Sequence, residues 1–302
     1  MGNEQHNTRC GFIAVVGAPN AGKSTFVNHM VGAHVAIVTP KVQTTRNKIL
    51  GIALHEHSQL VFMDTPGIFN AKERFEKAMV KAALGSANDA DIIMLLVDAH
   101  KGICDNTKIV IDALKDNKAH KILVINKVDK VAKDTLPKLA ETLFAMDNFQ
   151  ACFMISALKG TGADDVKSYI ASHVPVDAWH FPEEQISDAP MRQIAAEITR
   201  ESLFMRLKQE LPYSVAVDTE GWEEKRDGSL KISQVIYVRS AGQKKIVIGD
   251  KGIMLRDIGK NARHKLRELT GRTVHLFLFV KVAEKWKDNK EFFDVIGLDY
   301  TP

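Results

Sequence analysis

The sequence predicts an α/β protein in two parts: a doubly wound, mostly parallel sheet, then a smaller α+β domain. Three observations carry that prediction. From Gly11 to about Val174, short and nearly continuous apolar runs alternate with helical stretches, and strands that apolar are the kind covered by helices on both faces. Between 174 and 190 the stretch VPVDAWHFPEEQISDAP carries three prolines and little periodicity, which reads as a linker. Beyond it the pattern changes to alternating strands and one long basic amphipathic helix. The expected division is a first domain over 1–176, a linker over 177–190 and a second domain over 191–302.

Taken in order, strands are expected at 12–16, 60–63, 92–97, 122–125 and 152–155, with helices such as 25–31, 73–86 and 163–173 between or after them. Past the linker, Asp188 before Pro190 marks a helix start, and Met191, Ile194, Ala195, Ile198 and Leu207 fall near one face. Alternating strands follow at 213–217 and 232–238, with KRDG, 225–228, at the hairpin tip, where Gly228 takes a positive φ at no steric cost. A last strand is expected over 272–280. By propensity KKIVIG, 244–249, also reads as a strand.

Composition narrows the class. The 302 residues are 45% apolar and 26% charged, which describes a soluble globular chain. The longest apolar run, 92–97, falls far short of the ~20 residues that cross a bilayer. The opening MGNEQHNTRC has no apolar stretch of the kind a secretory leader needs. Cys10, Cys104 and Cys152 are odd in number and share no metal or redox spacing, so reduced thiols in a cytoplasmic protein are expected. Charge is unevenly spread. Residues 231–290 carry 15 Lys/Arg against 5 Asp/Glu, a local +10 that leaves −6 for the rest of a chain whose formal charge is +4. A basic segment on an acidic body points to a polyanionic partner.

Four short motifs, each at a strand end, define a nucleotide site. VVGAPNAGKST places Gly17, Asn20, Ala21, Gly22, Lys23, Ser24 and Thr25 in a phosphate-binding loop between a strand and a helix. There the loop N–H groups and the helix N-terminus face the phosphates, Lys23 reaches the β/γ-oxygens and Ser24 offers its hydroxyl to Mg²⁺. LVFMDTPG ends a strand at Asp64, a Mg²⁺ carboxylate, and Gly67 has an N–H for a γ-phosphate. LVINKVD supplies Asn126, Lys127 and Asp129. Asp129 offers only acceptors, which suits the N1–H and 2-amino donors of guanine; adenine would leave the carboxylate unpaired. ISALKG sets Ser156, Ala157 and Leu158 after the last strand, with the Ala157 N–H toward the guanine carbonyl. The nucleotide is therefore GTP, returned as GDP.

With these motifs in this order, the chain resembles the TrmE–Era–EngA group of GTPases, and the Era family in its build: one GTPase domain, then one KH domain. The resemblance implies a P-loop GTPase sheet and a type II KH domain. It makes VTPKVQTTRNKILG, 38–51, the first switch, with a Mg²⁺-ligating threonine at Thr45 or, second, Thr44. Lys23, Thr45, Gly67 and Asn20 then carry the hydrolysis. The residue after the Gly67 motif is Ile68, where many GTPases have a glutamine, so slow intrinsic turnover is expected. Similar GTPases with PNxGKS use the asparagine, here Asn20, to hold K⁺ beside the phosphates; the competing reading is an asparagine that simply tolerates a turn.

The basic segment fits the second half of that resemblance. Gly249, Asp250, Lys251 and Gly252 form a GxxG turn, which in KH domains follows a short helix and clamps about four nucleotides. In the following helix Arg256, Lys260, Arg263 and Arg267 lie along one face, while Ile253, Ile258, Ala262, Leu266 and Leu269 lie on or near another. Asp250 departs from loops that read GKGG and adds a negative charge beside phosphate. The implied partners are the 3′ end of 16S rRNA and the 30S subunit, for a monomer active in 30S assembly, cytoplasmic or peripheral at the inner face of the membrane. The alternatives are a small-molecule phosphotransferase and an RNA tether whose nucleotide is never turned over.

Overall fold

A computed structural model describes residues 8–41, 45–46, 48–71 and 73–284. The chain divides into two compact units. Among the described residues, one holds 8–36 together with those between 45 and 188; the other holds 37–41 and the KH segment 189–284.

The first unit is a six-stranded sheet, β1 (Arg9–Val16), β2 (Ile49–His55), β3 (Ser58–Asp64), β4 (Ile92–Asp98), β5 (His120–Asn126) and β6 (Ala151–Ile155). Its order is β2-β3-β1-β4-β5-β6, with β2 antiparallel to β3 and every other pairing parallel. Helices α1 (Lys23–Val31), α2 (Arg74–Asn88), α3 (Asp105–Leu114), α4 (Leu136–Phe144) and α5 (Ala163–His173) lie between and after the strands. Alternation along β1 divides the core, with Ile13 and Val15 in one apolar cluster and Ala14 and Val16 in the other. Both faces are covered, so the strands read as continuous apolar runs. The ends of α2 are set locally: the Glu73 N–H donates to Glu76 Oε2 at 3.2 Å, half of a capping box.

Strand β2 has no counterpart among the expected strands. Gly51 interrupts its apolar run, yet a Cβ there would lie 2.7 Å from Val27 and 2.8 Å from Val31. The glycine marks a close approach of α1 rather than a break. The 174–190 stretch also differs from a free linker. Gln59 donates to the Phe181 carbonyl at 2.8 Å and accepts from the N–H groups of His180 and Phe181. The Ile52 N–H donates to the Ile186 carbonyl, Ser187 Oγ to the Leu50 carbonyl at 2.6 Å, and the Leu50 N–H to Asp188 Oδ1 at 3.1 Å.

The second unit runs α6 (Met191–Arg206), β7 (Ala216–Glu224), β8 (Leu230–Val238), α7 (Ala241–Ile248), α8 (Ile253–Thr270) and β9 (Val274–Val282). Strand β8 is central, antiparallel to β7 and parallel to β9; this is the α-β-β-α-α-β order of a type II KH domain. Pro190, not Asp188, precedes the first residue of α6. Tyr213 sits in a 3₁₀ turn, Leu211–Ser214, so the strand begins three residues later than the alternation suggests. Gly228 closes the hairpin at φ 79°, and residues 244–248 are helical, as the KH resemblance requires and propensity does not.

Candidate nucleotide site and RNA-binding surface

The phosphate-binding loop is closed by its glycines. Gly17 has φ 155°, and a Cβ there would stand 2.4 Å from the Leu96 carbonyl oxygen; Gly22 has φ 104°, and its Cβ would stand 2.2 Å from Asn126 Nδ2. Any side chain at either position would collide with these neighbours and strain a backbone conformation that glycine adopts freely. Gly22 is the residue before α1, so the helix N-terminus faces the loop. Lys23 is buried, its Nζ donating to the Gly17 and Ala18 carbonyls at 3.1 Å each. Burial lowers its pKa to about 8, against an opposing pull from Asp64.

Ser24, Thr45 and Asp64 converge. Ser24 Oγ donates to Asp64 Oδ2 at 2.7 Å, Thr45 Oγ1 donates to the same oxygen at 3.1 Å, and the two hydroxyls are 3.0 Å apart. Three hard oxygens within hydrogen-bond reach of one another are a donor set for Mg²⁺, so the residues present fit the ion. Thr44 lies outside the described residues. Gly67 packs on the loop, where a Cβ would come within 3.0 Å of Pro19, and the Ile68 N–H donates to the Gly17 carbonyl at 3.3 Å. Ile68 is 1% exposed, so its side chain belongs to the core.

On the base side, Asn126 is a strut. Its Nδ2 donates to the Ala21 carbonyl at 2.9 Å, and its Oδ1 accepts the N–H groups of Lys127 at 2.8 Å and Ala157 at 2.9 Å. The Ala157 N–H, expected to face guanine, is thus engaged by Asn126 here. Lys127, at φ 64°, donates to the Asn20 carbonyl at 2.5 Å and to Asp98 Oδ2 at 2.7 Å. Asp129 stays reachable. The Ser156 hydroxyl and then Lys159, 3.7 Å away, hold its carboxyl below the usual range, so it is an acceptor at neutral pH. The Leu158 side chain is 77% exposed. Asn20 sits at φ 64°, a conformation asparagine tolerates. Thr25 is half-buried on α1.

Two residues of this region were missed by sequence reasoning. Asp98 ends β4 and positions Lys127; its position after an apolar strand, like that of Asp64, was the available signal. Arg46, nearly buried, stacks over Phe75 at 5.7 Å and anchors the chain next to Thr45.

In the second unit, Gly249 ends α7 at φ 73° and Gly252 precedes α8 at φ 78°. A Cβ on Gly249 would meet Met254 at 2.6 Å, whereas nothing lies within 4 Å of one on Gly252. Lys251 between them has φ 47°. Asp250, Lys251, Arg256, Lys260 and Arg263 are all exposed, and Ile258, Ala262 and Leu266 form the buried stripe of α8. Ile253 departs from the expected apolar face at 52% exposure. It opens the helix, so no preceding turn holds it to the core. Ile246, also exposed, flanks the other side of the turn. The outward residues Phe277 and Phe279 of edge strand β9 are about half exposed, which leaves two aromatic rings at the surface of this domain.

The fold and the two sites define a P-loop GTPase carrying a KH domain. A family model described as 50S ribosome-binding GTPase matches residues 12–127, and one for the KH domain matches 210–287. A GTPase Era of Sinorhizobium medicae is 53% identical across 97% of this chain and 94% of its own length, and one of Brucella suis is 51% identical across 98% and 96%. A solved Era in complex with MgGDPNP and nucleotides 1506–1542 of 16S ribosomal RNA superposes with a TM-score of 0.91 at 35% identity, covering 96% of this chain and 99% of that one. A single-residue variant of Aquifex aeolicus Era bound to GDP·AlF4⁻ gives 0.90 at 36% identity, with the same coverage. The chain belongs to the Era family of GTPases.

Proposed function

We propose that this GTPase binds 16S rRNA near its 3′ end through the KH domain and acts in 30S subunit assembly, with nucleotide state governing the RNA-binding surface. The observation that carries the reading is an exposed, positive-φ GxxG turn opening a basic helix, in one chain with a guanine-selecting GTPase site. The family member solved with a 16S rRNA fragment supports the choice of RNA.

Bound Mg²⁺ supplies neutralisation of charge on the β- and γ-oxygens. The chain's own contribution is positional. Lys23 exchanges two loop carbonyls for phosphate oxygens, Asp129 accepts from the guanine edge, and Gly67 brings its N–H to the γ-phosphate. Buried Ile68 offers no hydrogen bond to an attacking water, so unassisted turnover falls in the slow range, about 10⁻⁴–10⁻² s⁻¹. The Asn20 side-chain oxygen suits K⁺ beside the phosphates. Turnover faster in K⁺ than in Na⁺, with the difference lost in Asn20→Ala, supports that role; equal rates remove it. The reading carries a cytoplasmic monomer whose basic surface is available to the anionic inner face of the membrane; among the described residues no helix is long and apolar enough to cross one.

The test is binding of an RNA with the 1506–1542 sequence. Lys251→Ala should weaken it about tenfold at 0.15 M salt with GTP affinity unchanged. Binding that ignores both Lys251 and salt sinks the assignment.

A further inference from the structure

Within the second unit, two groups hold residues 37–41 against α6. Lys41 Nζ donates to the main-chain carbonyls of Phe204 and, at 2.9 Å, Leu207. These carbonyls lie at the C-terminal end of α6, where helix carbonyls lack intrahelical donors and the dipole is negative. A lysine is a natural cap for such an end, but this one comes from a segment more than 160 residues away in sequence. The second group is Glu201, on α6 and 3% exposed. Its Oε1 accepts the Val38 N–H at 3.2 Å, and its Oε2 accepts Lys265 Nζ at 2.7 Å.

One buried carboxylate thus has one oxygen on the first switch segment and the other on α8, the helix that opens at the GxxG turn. Water does not reach it, so losing either donor leaves a desolvated acceptor short of a partner. Four residues beyond Lys41, Thr45 stands with Ser24 and Asp64 in the Mg²⁺ donor set. The Pro-rich linker stretch is itself pinned by Gln59, Leu50 and Ile52 of the first unit.

We propose that Lys41 and Glu201 are positioning residues that dock the first switch segment on α6, so that seating Thr45 in its Mg²⁺ donor set and fixing α8 through Lys265 become one equilibrium. The proposal rests on the function proposed above and names the residues that carry its coupling. Coupling of this kind is reciprocal: whatever factor GTP imposes on RNA affinity, RNA imposes on GTP affinity.

The experiment is equilibrium binding of the 1506–1542 RNA by the full chain, loaded with Mg²⁺ and either GDPNP or GDP. In the wild type the two dissociation constants differ by about fivefold or more. Lys41→Ala and Glu201→Ala bring the ratio within about twofold of one, and the effect of RNA on GDPNP affinity shrinks by the same factor. Lys41→Arg, which keeps a cation for both carbonyls, retains the wild-type ratio. Lys41 is half-buried outside the apolar core, so its alanine variant reports even where Glu201→Ala fails to fold. A wild-type ratio that persists in Lys41→Ala overturns the latch and leaves the proposed function standing. A ratio of one in the wild type overturns both. Loss in Lys41→Arg as complete as in Lys41→Ala overturns the capping role.

Discussion

Two turns in this chain are built for phosphate, and they solve the problem in opposite ways. Each sets a glycine with positive φ immediately before a helix, Gly22 before α1 and Gly252 before α8, and each places a lysine beside it. At Gly22 the surroundings are closed: a Cβ would strike Asn126, and Lys23 is buried among loop carbonyls. At Gly252 nothing lies within 4 Å, and Lys251 faces solvent. The first turn encloses the end of a single nucleotide, and burial shields its charges from salt. The second, in the function proposed above, would let a polymer backbone pass across a screened surface, where affinity comes from released counterions. The same local device captures or merely grips according to what the rest of the fold packs around it.

Four experiments break or sharpen that contrast, taken from the largest effect down. Gly22→Ala should lower GTP affinity by more than about 100-fold, because the Cβ collides with Asn126 and φ 104° strains any side chain, so the loop must shift; Gly252→Ala should leave GTP binding intact and cost only φ strain, about 1 kcal/mol, read as a small fall in melting temperature. Equal behaviour of the two variants in nucleotide titrations would erase the distinction between closed and open turns. Asp129→Asn should weaken GTP by about 100-fold and favour xanthosine triphosphate, whose 2-oxo group accepts where the guanine amino group donates; competition between the two nucleotides measures it. The third is electrostatic. Lys23 has its pKa lowered to about 8 by burial, and bound phosphates raise it again, so binding takes up a proton once the free site is deprotonated. GTP affinity should therefore be level below pH 8 and fall as pH rises above it, by up to tenfold per unit. Calorimetry in buffers of differing ionisation heat should find proton uptake near pH 8.5 and none near pH 6.5. The smallest effect belongs to the open turn: Lys251→Ala should reduce the slope of log affinity for RNA against log salt by about one, while the salt dependence of GTP binding stays as it was.

The nucleotide site was largely legible because its parts sit at strand ends, and strand ends are marked in sequence by a polar residue following an apolar run. Asp64, Asn126 and Ser156 were found that way, and Asp98 carries the same mark without belonging to a familiar motif. Residue 253 was misjudged because helical periodicity assumes turns on both sides, and a first-turn residue has only one. β2 was missed because Gly51 looks like a break when read along the chain and is a packing requirement when read across it.

The spacing of Gly17, Gly22, Lys23, Asp64 and Asp129 by itself pointed to GTP as the ligand, since each residue's chemistry suits one part of that nucleotide. Gly249 and Gly252 likewise announced a turn open to a nucleic-acid backbone. Only the tertiary structure decided that Lys41 caps a helix more than 160 residues away and that Glu201 lies buried between Val38 and Lys265. Local sequence encodes what a group can bond to. Burial, which fixes what such a bond is worth and which distant partner supplies it, exists only once the whole chain has packed.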